Sequence, residues 1–225
     1  MNEVFHIDFF GVPGSGKSTI SHALAISLRK KGFRVKEPSY HLDHSRTTTT
    51  RKLIKAALFA YYFFFQHRTL RAVDFLVRQN GYSGKPRLLQ IGNILQKLFE
   101  YDKRNNGYDF CIWDQGIAQA CISLSMTRRL DATANLNYII KLLPKSIQRQ
   151  YVFVDVALSI VLERLNQKRK LQSRIELIRD EAEMKKALLA FADDCISIQT
   201  VVNPITISGN SPLEEDLLLN TIKLQ

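Results

Sequence analysis

The segment from Gly11 to Thr19, GVPGSGKST, fits the spacing G-x-x-x-x-G-K-[ST] through Gly11, Gly16, Lys17 and Ser18. Backbone N–H groups of such a loop can wrap phosphate oxygens, the lysine reaches the β- and γ-phosphates, and the serine hydroxyl can ligate Mg²⁺. Gly14 and Gly16 let the backbone approach an anion where a Cβ would intervene. The expected nucleotide-binding set is Gly11, Pro13, Gly14, Ser15, Gly16, Lys17, Ser18 and Thr19. ATP, or GTP in its place, together with Mg²⁺ follows as the expected cofactor.

A metal site on this loop needs a second oxygen ligand. Asp114 follows the apolar run FCIW, where a carboxylate at the C-terminal edge of a parallel sheet can meet the ion or position an acceptor. Asp155, after YVFV, competes for that role but also suits a helix N-cap. Ser18 and Asp114 are therefore the expected metal ligands. His41 and His44 have HxxH spacing but no third ligand nearby. Cys111, Cys121 and Cys195 are widely spaced with no CxxC pair, which argues against a disulfide framework or a zinc site and suits a reducing cytoplasm.

The loop requires a strand before it and a helix after it. Val4 to Phe10 is a short apolar run that reads as a buried strand. From Lys17, Ile20, Ala23, Leu24 and Leu28 recur at helical spacing until the basic, glycine-closed KKG at 30–32. A second strand, FRVKEP, ends at Pro38; helical, aromatic sequence runs from about Arg46 to Arg78, breaks at Asn80 to Pro86 and resumes from about Arg87 to Lys103. Strands at 109–114, 151–156 and 205–208 follow, with a long charged helix or a pair of helices from Leu158 to about Thr200 and a last helix from Leu213. This alternation predicts an α/β fold with a mostly parallel five-stranded sheet and helices on both faces.

With 225 residues and no linker or low-complexity run, the chain suits one domain. Its net charge of +11 invites nucleic acid. The basic residues are scattered over several helices, however, and a positive field also serves polyanionic phosphates, so no nucleic-acid partner is expected. Ala56 to Phe65 is an apolar run of ten residues, short of the roughly 20 that a membrane span needs. It reads mostly as core, with a membrane-surface segment as the alternative. The N-terminus runs straight into a strand without the pattern of a signal peptide, which suits a cytoplasmic location.

The segments VKEPSYHLDHSRTTTTRKLIKAAL, IWDQGIAQACISLS, YVFVDVALSIVLERLNQKRKLQSRIELI and NPITISGNSPLEEDL occur in a telling order and spacing. In this the chain resembles the thymidylate kinase and deoxynucleoside kinase group of P-loop kinases over most of its length. The resemblance implies a P-loop NTPase three-layer sandwich with sheet order 2-3-1-4-5, one domain over 1–225, acceptor-binding helices at about 40–105 and a helical lid at about 160–180. It also implies phosphoryl transfer from ATP to a small-molecule acceptor, a nucleoside or nucleoside monophosphate. Glu37 falls where these kinases carry a carboxylate acting on the acceptor hydroxyl, or a glutamate beside an arginine; here Lys36 precedes it. Arg164, Arg169 and Arg174 fall in the lid, where guanidinium groups suit charge on phosphoryl oxygens. Asn210, in SGN after the last strand, falls where adenine is held. The catalytic set so implied is Lys17, Glu37, Asp114, Arg164, Arg169 and Arg174.

The chain departs from the group in two places. Gln115 stands where those kinases have an arginine that grips the acceptor, and Pro13 replaces an acidic or polar loop residue. A neutral amide cannot form a charged fork; Arg71 or Arg87 could supply the cation. A same-scaffold kinase for a sugar, antibiotic or other non-nucleotide alcohol stays open, as does a non-catalytic ATP-binding regulator. Homodimerisation is a further possibility that the resemblance raises.

Overall fold

The computed structural model describes residues 4–38, 48–102, 107–127, 129–167, 178 and 180–210. Strand β1 (Phe5–Phe10) leads into the glycine loop and helix α1 (Lys17–Lys30). Helix α1 forms because Ile20, Leu24, Ala25 and Leu28 make one buried stripe, while Arg29 and Lys30 lie at its negative C-terminal end. Full burial of a leucine of this kind stabilises by about 1.5–3 kcal/mol, so Leu24→Ala is a change that would loosen α1 from the sheet. Strand β2 (Val35–Lys36) is only two residues long, shorter than the FRVKEP run.

Three helices follow: α2 (Thr48–Phe65), α3 (His67–Gln79) and α4 (Gly84–Asp102). The helical sequence breaks at Gln66 as well as at the glycine-rich turn. Pro86 stands in the first turn of α4, where its missing N–H is no loss, so the helix starts earlier than Arg87. After β3 (Phe110–Trp113) come two helices that periodicity had not defined, α5 (Ile117–Ser125) and α6 (Ala132–Ile140). Asp131 caps α6 by accepting from Ala134 N at 2.6 Å. Strand β4 (Arg149–Asp155), α7 (Leu158–Gln167), α8 (Glu181–Val202) and β5 (Ile205–Ser208) complete the described elements. The long charged stretch is thus a pair of helices; the helix expected from Leu213 lies outside the described residues.

All strand pairs are parallel, and the order is β2-β3-β1-β4-β5, as the resemblance implies. Strand alternation then assigns side chains to opposite faces. Val35, Glu37, Ile7 and Asp114 belong to the face that α1 covers. Lys36, His6, Asp8 and Trp113 belong to the face that α4 and α5 cover: Lys36 Nζ pairs with Glu100 on α4 at 2.7 Å, and the His6 ring stacks on Tyr101 of α4 at 4.7 Å.

The run Ala56 to Phe65 is not mostly core. Leu58 and Tyr62 are buried, but Phe63, Phe64 and Phe65 are 64%, 72% and 76% exposed. The reason is that α2 packs against α3 and α4 through one side only.

Candidate active site

The loop closes on itself before any ligand is considered. Gly14 and Gly16 have φ of 83° and 90°, backbone conformations that a β-carbon resists. Gly16 is the N-cap of α1, and no acidic residue lies in the first turn of that helix. The first-turn N–H groups have no intrahelical acceptor and the first turn carries no acidic residue of its own, which together favour an anion. Lys17 is buried; its Nζ donates to the carbonyls of Gly11 at 2.9 Å and Val12 at 2.7 Å and lies 3.3 Å from Ser15 Oγ. The ammonium is held across the loop. Gln119, on α5, anchors the first glycine by accepting from Gly11 N at 3.2 Å.

Ser18 and Asp114 meet. Ser18 Oγ donates to Asp114 Oδ2 at 2.8 Å, and Asp114 Oδ1 is buried with no hydrogen-bond partner among the described residues. A hydroxyl and a carboxylate with one unsatisfied oxygen, beside a phosphate loop, form a hard-oxygen donor pair that fits Mg²⁺. Among the described residues no group of three or more His, Cys, Asp or Glu could hold a metal ion. Asp155 is exposed at the end of β4, where its backbone carbonyl accepts from Gly209 N at 2.8 Å. It neither reaches Ser18 nor caps α7.

Glu37 lies on the same face. His22 follows Ser18 by four residues on α1, about 6 Å of helix rise, and its Nδ1 is 2.9 Å from Glu37 Oε1; Arg29 Nη1 is 2.7 Å from Oε2. Glu37 is 3% exposed, with both oxygens engaged. Each oxygen keeps a second lone pair, so an acceptor hydroxyl can share Oε1 with His22, one turn of α1 from Ser18.

Arg164 rests on the loop. Its Nη1 reaches the Gly14 carbonyl at 3.4 Å and its Nη2 the Gly209 carbonyl at 2.9 Å. Asn210 Oδ1 accepts from Ala157 N at 3.2 Å. Gly209 lies so close to Ser15 and Val156 that a β-carbon there would meet the Ser15 carbonyl oxygen at 2.6 Å. The SGN turn, Arg164 and the loop are thus one surface, and Thr19 is exposed in the first turn of α1. Arg169, Arg174, His41 and His44 lie outside the described residues.

Gln115 is exposed, and of the two arginines considered for it Arg87 is engaged with an aspartate of α3. Both Arg87 Nε and Nη2 bond Asp74 Oδ1 at 2.6 Å, which turns that side chain toward α3. The cation that does adjoin Gln115 is Lys97 of α4: its Nζ donates to the Gln115 carbonyl and lies 5.8 Å from the centroid of the Trp113 ring.

Beneath that turn is a buried polar layer. Asp8 Oδ2 accepts from Ile117 N at 2.8 Å, Tyr101 Oη at 3.0 Å and Ala118 N at 3.4 Å, while Oδ1 has no hydrogen-bond partner among the described residues. Burial pushes its carboxyl up to about 6, against the pull of Lys97 and of these donors. Trp113 Nε1 donates to His6 Nδ1 at 3.2 Å, and burial, with Arg149 and Lys36 nearby, pushes the His6 imidazole down to about 4. Sequence reading missed Asp8, Lys97, Gln119 and the His22–Arg29 clasp. The usable signal was the polar pair His6 and Asp8 alternating inside an otherwise apolar strand.

No protein-family model and no curated protein matches the sequence at a significant level. Solved structures do match. Deoxyadenosine kinase from M. mycoides, with products dCMP and a flexible dCDP bound, is similar at a TM-score of 0.50 and 14% identity, over 96% of this chain and 98% of that one. The same kinase with bound dATP gives a TM-score of 0.50 and 17% identity over the same shares. Sheet order, glycine loop and helical layers agree with that likeness: over nearly its whole length this chain has the fold of a P-loop deoxynucleoside kinase.

Proposed function

We propose that the protein transfers the γ-phosphoryl group of ATP to a small acceptor, a nucleoside or nucleoside monophosphate. The observation that carries this reading is the 2.8 Å bond between Ser18 Oγ and Asp114 Oδ2 at the mouth of the loop that holds Lys17. The solved structures with the same fold support it, since the deoxyadenosine kinase is described with dCMP, dCDP and dATP.

In this reading the first-turn N–H groups of α1 and the Lys17 ammonium hold the β- and γ-phosphates. Ser18 and Asp114 would hold Mg²⁺, which would offset the negative charge of the phosphates. Arg164, already seated on the Gly14 and Gly209 carbonyls, closes the nucleotide side with Asn210; Arg169 and Arg174 complete the lid over the migrating group. The bond from the γ-phosphorus to the ADP oxygen breaks as the bond to the acceptor oxygen forms. For a hydroxyl acceptor the released proton goes to Glu37, at the Oε1 that His22 also contacts. Lys97 supplies the positive charge beside Gln115. A homodimer is compatible with this chemistry and is not required by it.

The test is ADP release from purified protein with Mg-ATP over deoxynucleosides, nucleoside monophosphates and sugars, with Lys17→Ala as the blank. Acceleration by a nucleoside or monophosphate is expected. Silence from both classes with ATP binding intact overturns the acceptor, and acceleration by a sugar alone moves the assignment to non-nucleotide alcohols.

A further inference from the structure

Helix α2 presents an uncharged apolar face to solvent. Leu53, Ala56, Ala57, Ala60, Phe63 and Phe64 recur at helical spacing and are all exposed, Leu53 by 66%. Phe65 ends the helix at 76% exposure. Packing of Leu58 and Tyr62 inward fixes the rotation of α2 and leaves this stripe outward. An exposed apolar surface of this extent, bordered by polar groups, marks an interaction site.

The border is cationic. Gln66 alone separates α2 from α3, and there His67, Arg68 and Arg71 are exposed, as are Arg78 and, at the start of α4, Lys85. From residue 53 to residue 99 Asp74 is the one acidic residue, against seven lysines and arginines. That aspartate is itself paired with Arg78 at 3.1 Å and Arg87 at 2.6 Å. Among the described residues, α2 and α3 therefore offer phenyl rings and positive charge with no unpaired carboxylate.

We propose that this face docks on an anionic lipid bilayer, with Phe63, Phe64 and Phe65 at the acyl boundary and Arg68 and Arg71 at the headgroup phosphates. Charge decides the occupant. A second copy would bring two cationic borders together, whereas an anionic bilayer complements the rings and the charges at once. Among the described residues no helix is long and apolar enough to cross a membrane, so the attachment is to the surface.

The full chain is sedimented with vesicles of phosphatidylcholine alone and of phosphatidylcholine mixed with phosphatidylglycerol. Binding is expected to the mixed vesicles only, to weaken with added salt, and to fall at least about tenfold in Phe63→Ser/Phe64→Ser and in Arg68→Glu/Arg71→Glu. These side chains are exposed, so both variants keep the wild-type melting temperature. Absence of binding, equal binding to both vesicle types, or binding indifferent to either variant overturns the proposal. So does a dimer in sedimentation velocity that Phe63→Ser/Phe64→Ser converts to monomers, which assigns the face to a second copy.

Discussion

Asp8 on β1 fills the space directly beneath Gly116, so that a β-carbon added to the glycine would overlap the Asp8 carboxylate. Gly116 has an ordinary φ of −82°, and its requirement for glycine is one of contact rather than backbone strain. The two residues join the strand before the phosphate loop to the turn that carries Asp114. Gly116→Ala is expected to destabilise the fold by about 1–3 kcal/mol, the usual range for overpacking. Asp8→Ala in the same chain should recover part of that loss, because the overlapping atoms are gone. Urea denaturation of the four members of this cycle measures the coupling, and strictly additive costs would show that the two side chains do not compete for the space.

The same aspartate opposes His6 in its effect of pH on stability. Burial raises Asp8 from 3.8 to about 6 and lowers His6 from 6.5 to about 4. Between those values the folded chain keeps a proton on Asp8 that the unfolded chain has released, so this contribution is present at low pH and is lost as pH rises toward 6. For His6 the unfolded chain takes up a proton below 6.5 that the folded chain refuses until about 4, so its contribution grows as pH rises. Each shift corresponds to roughly 3 kcal/mol, and the two nearly cancel between pH 4 and 6. Asp8→Asn removes one side of the balance. Relative to wild type, its stability by urea denaturation should climb by roughly 3 kcal/mol from pH 4 to pH 6; parallel curves for the two proteins would refute the assignment.

Much of this arrangement was legible in the residues because it depends on neighbours along the chain. The glycine loop, its flanking strand and helix, and an aspartate ending an apolar strand are local patterns, and the predicted metal ligands Ser18 and Asp114 do meet. What stayed hidden depends on which way an element is rotated. His22 and Arg29 reach Glu37 only because β2 turns that residue toward α1. Lys97 adjoins Gln115 only through the packing of α4 on β3. The run ending at Phe65 reads as core by composition, yet α2 buries one side and exposes three phenyl rings in succession. Hydrophobicity states that a surface seeks cover; it does not state whether this chain supplies it.

The proposed metal ligands Ser18 and Asp114 make a separable prediction. Asp114→Asn keeps the shape and the bond to Ser18 while removing the charge that would face the ion. Turnover should fall by about 10²- to 10³-fold, with a higher Mg²⁺ requirement, while a fluorescent ATP analogue still binds through the loop and Lys17. Titration of Mg²⁺ against ADP release checks this, and an unchanged Mg²⁺ midpoint would remove Asp114 from the metal site.

Lys97 makes the sharpest test of the acceptor side, because its role is carried by charge at one point rather than by a fork. The ammonium bonds the Gln115 carbonyl, one residue beyond Asp114, and rests over Trp113. A phosphate or polarised hydroxyl arriving at the C-terminal edge of β3 meets this cation before any other that the described side chains place beside Gln115. Lys97→Met keeps the length and the contact with the indole but deletes the charge. It should raise KM for the acceptor by about tenfold or more, the equivalent of one charge-assisted hydrogen bond, and leave KM for ATP unchanged. Lys97→Arg should restore most of the loss, since guanidinium and ammonium both supply the charge, though with altered preference between a planar phosphate face and a hydroxyl. A purely structural lysine would behave otherwise: Met would lower kcat and stability together, Arg would not rescue, and the ratio of KM values for acceptor and ATP would not move. Steady-state kinetics with each substrate varied in turn distinguishes the two outcomes in a single pair of variants.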